Sequence, residues 1–189
     1  MAADVIGFAE SRTMSDGVHD YDVPSFQVYR NDDIKHHGLI NYVKYESFSM
    51  DWLSNISYPN FEYTVIMVTN NETELSYNIV FLYKAPTTTL AEFKQMVLHE
   101  DILHGRIKDS NLPFIIMGDF NENVLNDHHP ITDFMTDTFQ CKQLVTKPTT
   151  DYGSALDLIF TNMTNVTVSY LECPWSDHKA ICASVKCIQ

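Results

Sequence analysis

The stretch that decides the fold is Phe114-Ile-Ile-Met-Gly-Asp-Phe-Asn121. Its four apolar residues predict a buried strand, and Gly118 allows the chain to leave that strand sharply. Asp119 and Asn121 then follow as two hard oxygen donors at alternate positions, so we expect both side chains to leave the strand end on the same side. A strand-to-loop turn in which both side chains cap local backbone groups would give the same pattern. The stretch alone leaves these two interpretations open.

A second carboxylate interrupts another apolar strand. Asp157 lies within Leu156-Asp-Leu-Ile-Phe160, and the period of two places it on the face opposite Leu156, Leu158 and Phe160. A carboxylate in an apolar strand is costly without a partner, which indicates a partner for Asp157. An edge strand whose Asp faces water is the alternative.

Two further segments place polar groups at strand ends. Ser176-Asp-His178 stands just before the apolar run at 180–185, and Glu10 ends the apolar run at 5–9. A lone His is more often structural than catalytic, but strand ends are where such folds build their sites. The resulting candidate set is Glu10, Asp119, Asn121, Asp157, Asp177 and His178. Oxygen donors and one imidazole, with no cysteine near, are the ligand chemistry of Mg²⁺ or Mn²⁺.

Length and composition suit one domain spanning residues 1–189. The chain is 44% apolar and 20% charged, with a net charge of −13. Such a charge repels phosphate, so a polyanionic partner needs a metal ion or a local basic patch. No apolar run approaches the roughly 20 residues of a membrane span, and residues 1–11 lack the pattern of a secretory signal. Four cysteines without a CxxC pair favour reduced thiols in a nuclear or cytoplasmic protein.

The rest of the sequence predicts mainly β-strands. We predict them at 5–9, 26–29, 39–45, 63–69, 75–83, 113–117, 156–160, 166–170 and 180–186. Helices are predicted after the capping box Thr89-Leu-Ala-Glu92 and from Pro130, a residue suited to a first helical turn. Strands with helices inserted between them favour an α+β fold or a two-sheet α/β sandwich. No glycine-rich nucleotide-binding motif occurs.

Five motifs occur in an order that resembles a known superfamily. They are Phe8-Ala-Glu10-Ser, Tyr83-Lys-Ala-Pro86, Gly118-Asp-Phe-Asn121, Leu156-Asp-Leu-Ile-Phe160 and Ser176-Asp-His178. The set resembles the endonuclease/exonuclease/phosphatase superfamily, which includes deoxyribonuclease I and exonuclease III-type apurinic endonucleases. Tyr29-Arg-Asn-Asp32, Lys147-Pro-Thr149 and Asp157-Leu-Ile-Phe-Thr-Asn162 look most like the endonuclease domain of non-LTR retrotransposons. The resemblance covers nearly the whole chain.

The resemblance implies a deoxyribonuclease I-like fold and a hydrolytic reaction. The fold would be a four-layer α/β sandwich, with two packed mixed β-sheets flanked by helices and the site at one rim between the sheets. The activity would be Mg²⁺-dependent hydrolysis of phosphodiester bonds in DNA by a monomer. Glu10 would hold the metal and Asp177 would assist the metal or the water. Asp119 would orient or deprotonate the water, and Asn121 would bind phosphate or metal.

The remaining roles concern the phosphate. By the same resemblance, His178 would contact the scissile phosphate and stabilise its developing charge, while Asp157 would fix the orientation of the imidazole. Tyr83 would hydrogen-bond the phosphate. Together a metal, an acid and an imidazole can supply the nucleophile and the charge neutralisation that the reaction needs.

The chain departs from the superfamily pattern in two ways. Members open with a strand that carries a metal-site Asn and with a helix, whereas this sequence begins almost at the strand of Glu10. We therefore expect an N-terminally truncated domain, either a fragment or a chain that has lost this element, and we expect it to be weakly active or inactive as a nuclease. Lys84 also stands where Arg is common after the Tyr. A phosphatase or ribonuclease of the same superfamily, or an inactive remnant that serves as an interaction domain, are the alternatives to a DNA endonuclease.

Overall fold

The structure is a computed structural model that describes residues 3–11, 22–30, 38–99 and 103–186. The described elements are β1 (Val5–Phe8), β2 (Phe26–Arg30), β3 (Ile40–Lys44), β4 (Phe48–Tyr58), β5 (Phe61–Asn70), β6 (Ser76–Lys84), α1 (Leu90–Leu98), α2 (Leu103–Asp109), β7 (Phe114–Asp119), α3 (Pro130–Phe139), β8 (Lys142–Gln143), β9 (Asp157–Thr161), β10 (Val166–Leu171) and β11 (Ala180–Val185). The helices among them lack the length and apolarity that a bilayer span requires.

A six-stranded mixed sheet forms the centre, in the order β4-β5-β6-β7-β9-β8. Strands β4, β5 and β6 are antiparallel neighbours, and β7 pairs in parallel with β6. Because parallel neighbours need a crossover connection, the chain passes through α1 and α2 between β6 and β7. Strand β9 returns antiparallel to β7, which brings the strand ends at Asp119 and Asp157 together.

The two faces of this sheet are covered differently. Phe93 of α1 and Met135 of α3 belong to the larger buried cluster, together with Val80, Leu82 and Ile116 of the sheet. The opposite face carries the side chains of Ile66, Val68, Ile79 and Phe81, which pack with Val43 of β3. Burying each such side chain contributes about 1.5–3 kcal/mol before entropy is counted, so both layers are held by apolar contacts.

Two smaller sheets complete the described structure. One has three antiparallel strands in the order β1-β3-β2, and the other is the β10–β11 hairpin. Gly7 of β1 lies so close to the ring of Phe81 that a Cβ would overlap it, so the three-stranded and six-stranded sheets approach tightly beside the site. Val168 and Ile181 of the hairpin pack against the larger cluster.

The mixed α/β fold with packed sheets is confirmed, with three refinements. The second sheet of the predicted sandwich consists of two separate sheets in the described residues, and the described helices cover one face of the six-stranded sheet. Strand β4 and helix α2 were not predicted. Strand β4 pairs with β5 along its length, with a bulge near Trp52.

Both predicted helix starts are correct. The Thr89 hydroxyl accepts from the backbone N–H of Glu92, whose carboxylate accepts from the backbone N–H of Thr89. Helix α3 begins at Pro130, and its next two backbone N–H groups, of Ile131 and Thr132, donate to the Glu122 carboxylate at 2.8 and 2.7 Å. A carboxylate at a helix N-terminus is favourable, because it satisfies exposed N–H groups and the helix dipole.

Candidate active site

The end of β7 holds Asp119 and Asn121 against each other. The Asn121 backbone N–H donates to Oδ1 of Asp119 at 2.9 Å, and its side-chain Nδ2 donates to Oδ2 at 3.1 Å. The same Nδ2 also donates to the carbonyl of Lys84. Asn121 adopts a left-handed backbone (φ 47°), which Asn tolerates better than most residues. Asn121 thus fixes the orientation of the Asp119 carboxylate, and the Oδ1 atom of Asn121 remains available to bind a ligand.

Three strands place acidic or phenolic groups side by side. Asp119 lies opposite Asp157 in the β7–β9 pairing and beside Tyr83 in the parallel β6–β7 pairing. Partners in register share one face of a sheet, so these side chains point the same way. Burial, followed by the negative charge of Asp157, raises the pKa of Asp119 to about 7. Asp119 is therefore a carboxyl whose proton exchanges near neutral pH.

His178 completes the pair that the sequence predicted for Asp157. Its Nδ1 lies 2.8 Å from Oδ2 of Asp157, and this hydrogen bond is the main reason that the pKa of His178 rises to about 9. The Thr149 hydroxyl accepts from the backbone N–H of Leu156 and of Asp157. Because of its raised pKa, the imidazole of His178 is positively charged at neutral pH, and its hydrogen bond to Asp157 sets its orientation.

Glu10 reaches the same region from the three-stranded sheet. The Tyr83 hydroxyl donates to Oε1 of Glu10 at 2.9 Å. Burial, the hydrogen bond to Glu10 and the nearby carboxylates of Asp119 and Glu62 all raise the pKa of Tyr83 well above its ordinary value, so the phenol stays neutral. In this arrangement the Tyr83 hydroxyl donates to Glu10, and its hydrogen bond to a substrate phosphate stays a prediction.

Asp177 occupies a more peripheral position. Its side chain is exposed, and its carbonyl accepts from the backbone N–H of Asp151 at 3.0 Å. Its negative charge contributes to the raised pKa of His178, although less than Asp157 does. The structure therefore brings Asp177 to the edge of the group formed by the other predicted residues.

Sequence reasoning missed three buried groups beside this site. Glu62, fully buried opposite Tyr83 in the β5–β6 pairing, accepts from the backbone N–H of Gly38 at 3.0 Å. Lys84 is almost wholly buried, which lowers its pKa although the charges of Asp119 and Glu122 oppose that shift. Thr149, described above, is the third. A polar residue next to an apolar run was the available signal for Glu62, as it was for Asp157.

The donor set suits a hard divalent cation. Within the described ranges, no three His, Cys, Asp or Glu side chains converge closely enough to form a ready cluster. Mg²⁺ does not require one, because it keeps several waters and binds through one or two carboxylates plus substrate phosphate. The pKa of Asp119 is raised first by burial and then by the charges of Asp157 and Glu10, and a bound cation would relieve that charge repulsion. Glu10 and the neighbouring carboxylates therefore fit a magnesium ion chemically.

Comparison with solved structures identifies the fold. The human Nocturnin catalytic domain superposes with a TM-score of 0.71 at 16% identity, covering 97% of this chain and 81% of Nocturnin's. An endonuclease/exonuclease/phosphatase protein from Bacteroides vulgatus gives 0.62 at 14% identity, covering 97% and 85%. The fold is that of endonuclease/exonuclease/phosphatase proteins. A mannosyl-6-phosphatase from Bacteroides thetaiotaomicron shares it, with a TM-score of 0.60, 14% identity and coverage of 97% and 85%. The sequence matches no family model and no curated protein.

Proposed function

We propose that this chain catalyses divalent-metal-dependent hydrolysis of phosphodiester bonds in nucleic acid, as a DNA endonuclease of the retrotransposon type. The observation that carries the proposal is the His178–Asp157 pair at 2.8 Å, with Asp119 directly opposite Asp157 on the next strand. A proton acceptor and a cationic hydrogen-bond donor thus lie near each other, since the charge of each residue shifts the pKa of the other. A phosphate between them would face the nucleophile on one side and charge stabilisation on the other.

Asp119 is the proposed general base. With a pKa of about 7 its carboxylate takes a proton from water more readily than an ordinary aspartate does. The hydrogen bonds from Asn121 fix the direction in which Asp119 accepts. Water attacks phosphorus as its proton passes to the Asp119 carboxylate, the bond between phosphorus and the leaving ester oxygen breaks, and that oxygen takes a proton from solvent.

His178 is the proposed donor to the phosphate. Because Nδ1 is engaged by Asp157, the other ring nitrogen of the imidazolium, Nε2, donates to a non-bridging phosphate oxygen. The charge that develops on that oxygen in the transition state is stabilised by the positive ring. Asp157 acts through His178 as the residue that sets its orientation.

Glu10 and Asp177 would hold the cation, with Asn121 contributing its oxygen. When bound, Mg²⁺ or Mn²⁺ supplies charge neutralisation at the phosphate and at the leaving oxygen. Tyr83 positions Glu10 by donating to Oε1 and contributes no charge of its own. These assignments agree with the hard oxygen chemistry of the residues.

A phosphomonoesterase or a ribonuclease is the second candidate. The net charge of −13 is unusual for a protein that binds DNA, and a protein of the same fold is named a mannosyl-6-phosphatase. A small phosphate ester carries less charge than DNA, so the acidic surface opposes its binding less. The residue roles at the phosphorus atom would be unchanged.

Plasmid nicking in Mg²⁺ tests the proposal, with Asp119→Ala and His178→Ala as variants. Each should reduce nicking by about 10²-fold or more, because general-base and electrostatic contributions have that size. Asp137→Ala and His128→Ala, which change exposed residues, serve as matched controls and should retain full activity.

The same preparations should be assayed on a phosphomonoester. Hydrolysis of the phosphomonoester without nicking of the plasmid would favour a phosphatase over an endonuclease. Full nicking by either site variant would contradict the roles proposed for Asp119 and His178. No hydrolysis of any phosphate ester with either metal would leave a fold that serves as an interaction domain.

A further inference from the structure

Two large aromatic side chains project into solvent beside the candidate site. Tyr152 is 84% exposed and Trp175 is 82% exposed, whereas the other exposed large apolar side chains of the described ranges lie between 42% and 54%. Single exposed apolar residues of intermediate exposure are ordinary. At this exposure the indole and the phenol keep most of their ring surface available to a ligand.

The loops that carry these rings are joined to each other and to the site. Thr150 forms a β-bridge with His178, and the backbone N–H of Asp151 donates to the carbonyl of Asp177. Tyr152 follows Asp151 in one loop, and Trp175 precedes Ser176 and Asp177 in the other. Both rings therefore stand next to the segment that presents His178.

The turns beneath the rings are held by hydrogen bonds. The hydroxyls of Thr150 and Ser154 lie 2.6 Å apart, and the backbone N–H of Gly153 donates to the carbonyl of Thr150. On the second loop the backbone N–H of Ser176 donates to the carbonyl of Cys173. The rings thus extend from defined turns, which limits the conformational entropy that a ligand must remove.

The charged side chains near Tyr152 and Trp175 attract phosphate only weakly. Asp151, Asp177 and Glu172 are exposed there, and the ammonium of Lys179 is 2.7 Å from the Glu172 carboxylate. With a net charge of −13, a polyanion gains little from this surface by electrostatics. A nucleic acid would therefore be held here through its bases, since every base presents an aromatic face on which these rings can stack.

We propose that Tyr152 and Trp175 form a stacking surface for an unpaired nucleobase adjacent to the phosphate at His178. The inference rests on the proposed function and narrows its substrate to nucleic acid that is single-stranded, or unpaired, at the site of cleavage. A base in an intact duplex is stacked on its neighbours and does not offer its face.

Binding measured in EDTA separates this inference from catalysis. Anisotropy of a labelled 20-nucleotide oligo-dT should report binding that is stronger than for the matched duplex or for a strand of abasic nucleotides. Tyr152→Ala and Trp175→Ala should each weaken oligo-dT binding by about 5-fold to 100-fold, the size of a base-stacking contribution. Tyr152→Phe should bind like the native chain, because it keeps the ring. Oligo-U of the same length distinguishes RNA from DNA as the source of the base.

A matched control and a second readout complete the test. Tyr45, 52% exposed and adjacent to Asn71 at the opposite end of the six-stranded sheet, should tolerate alanine without effect. Oligo-dT should quench the indole emission of the native chain but not that of Trp175→Phe, which retains Trp52. Increasing salt should weaken binding only slightly, because few phosphate contacts are made.

Three results would overturn the stacking surface. They are equal affinity for abasic and base-containing strands, unchanged affinity in both alanine variants, and nicking activity without oligonucleotide binding. The last of these would leave the proposed hydrolysis intact. Oligonucleotide binding that depends on both rings, without any hydrolysis, would support the stacking surface and contradict the proposed catalysis.

Discussion

Asp119 and Asp157 lie directly opposite each other on the antiparallel strands β7 and β9. Like charges at opposed positions destabilise a sheet. Asp157 is compensated by the His178 imidazolium at 2.8 Å, whereas Asp119 receives hydrogen bonds from Asn121, a neutral residue. Burial and this repulsion together therefore raise the pKa of Asp119, which supports its proposed role as the base.

This relationship predicts that the metal-free protein loses stability as pH rises. Ordinary values are 3.8 for Asp and 6.5 for His, and the folded pKa values are about 7 for Asp119 and about 9 for His178. Between the unfolded and folded values the native state binds more protons, so the free energy of unfolding falls with increasing pH. We expect a decline from pH 4 to pH 9, measured by urea unfolding in EDTA.

Asp119→Asn isolates one part of that decline. The variant cannot titrate at position 119, so its free energy of unfolding should change less with pH between pH 4 and pH 7. The decline between pH 6.5 and pH 9, which comes from His178, should remain. Asp137→Asn, at an exposed position on α3, should leave the whole profile unchanged. A native-like slope below pH 7 in Asp119→Asn would mean that another group is responsible.

Asp157→Asn should lower two pKa values at once. The His178 pKa should fall from about 9 toward 6.5, because the variant removes its main hydrogen-bonded anion. The Asp119 pKa should also fall, because the opposed charge is lost. NMR titration of the His178 ring and of the Asp119 carboxyl measures both. If only the His178 pKa moved, the two carboxylates would not be coupled as their positions imply.

Removal of divalent metal should abolish hydrolysis, and Mg²⁺ or Mn²⁺ should restore it. Metal binding to the native state should also raise the melting temperature, with a stabilisation of about 2.7 kcal/mol at a hundredfold excess over Kd. Glu10→Gln should weaken the metal dependence of the melting temperature, while Glu72→Gln, on the exposed β5–β6 turn, should not. A melting temperature independent of Mg²⁺ in the native chain would contradict the predicted metal site.

Gly118 should not tolerate a side chain. Its backbone has φ 148°, and a Cβ would overlap the carbonyl oxygen of Leu82 on β6. We expect Gly118→Ala to destabilise the protein by about 3 kcal/mol or more, since both strain and a backbone clash result. Gly153 also has positive φ, at 82°, but open space surrounds it, so Gly153→Ala should cost only about 1 kcal/mol. If urea unfolding showed that Gly118→Ala and Gly153→Ala destabilise the protein equally, the backbone would have moved to relieve the clash at position 118.

Sequence alone could predict the residues at strand ends. Each of these residues, Asp119, Asp157 and His178, interrupts or flanks an apolar run. This local pattern is visible in the sequence alone. The partner of each residue depends on strand order, so the Asp157–His178 bond required the resemblance to a known superfamily before it could be expected. The roles of the site residues stay predictions.

Other features depend on contacts between distant segments, which the local sequence does not reveal. Burial of Lys84 and Glu62 depends on the sheets that cover them, and a lysine after a strand ordinarily reads as exposed. The strand β4 was missed although residues 48–52 alternate between apolar and polar, because the bulge near Trp52 interrupts the alternation. Its pairing with β5 is decided by the hairpin at Asn60. Cys141, Cys173 and Cys182 are free thiols, and Cys187 lies outside the described residues.

The hydrogen bond between Tyr83 and Glu10 joins side chains from two different sheets. Asp119, Asn121 and Asp157 are ordered by one sheet and its loops, whereas the proposed metal ligand Glu10 arrives on another. Apolar contacts and a few hydrogen bonds, rather than a continuous strand ladder, keep these two sheets in alignment. A small slide of one sheet over the other would separate the metal from the base without breaking a strand. On gentle heating, the protein would therefore lose catalytic competence while its circular dichroism spectrum was still that of the native state.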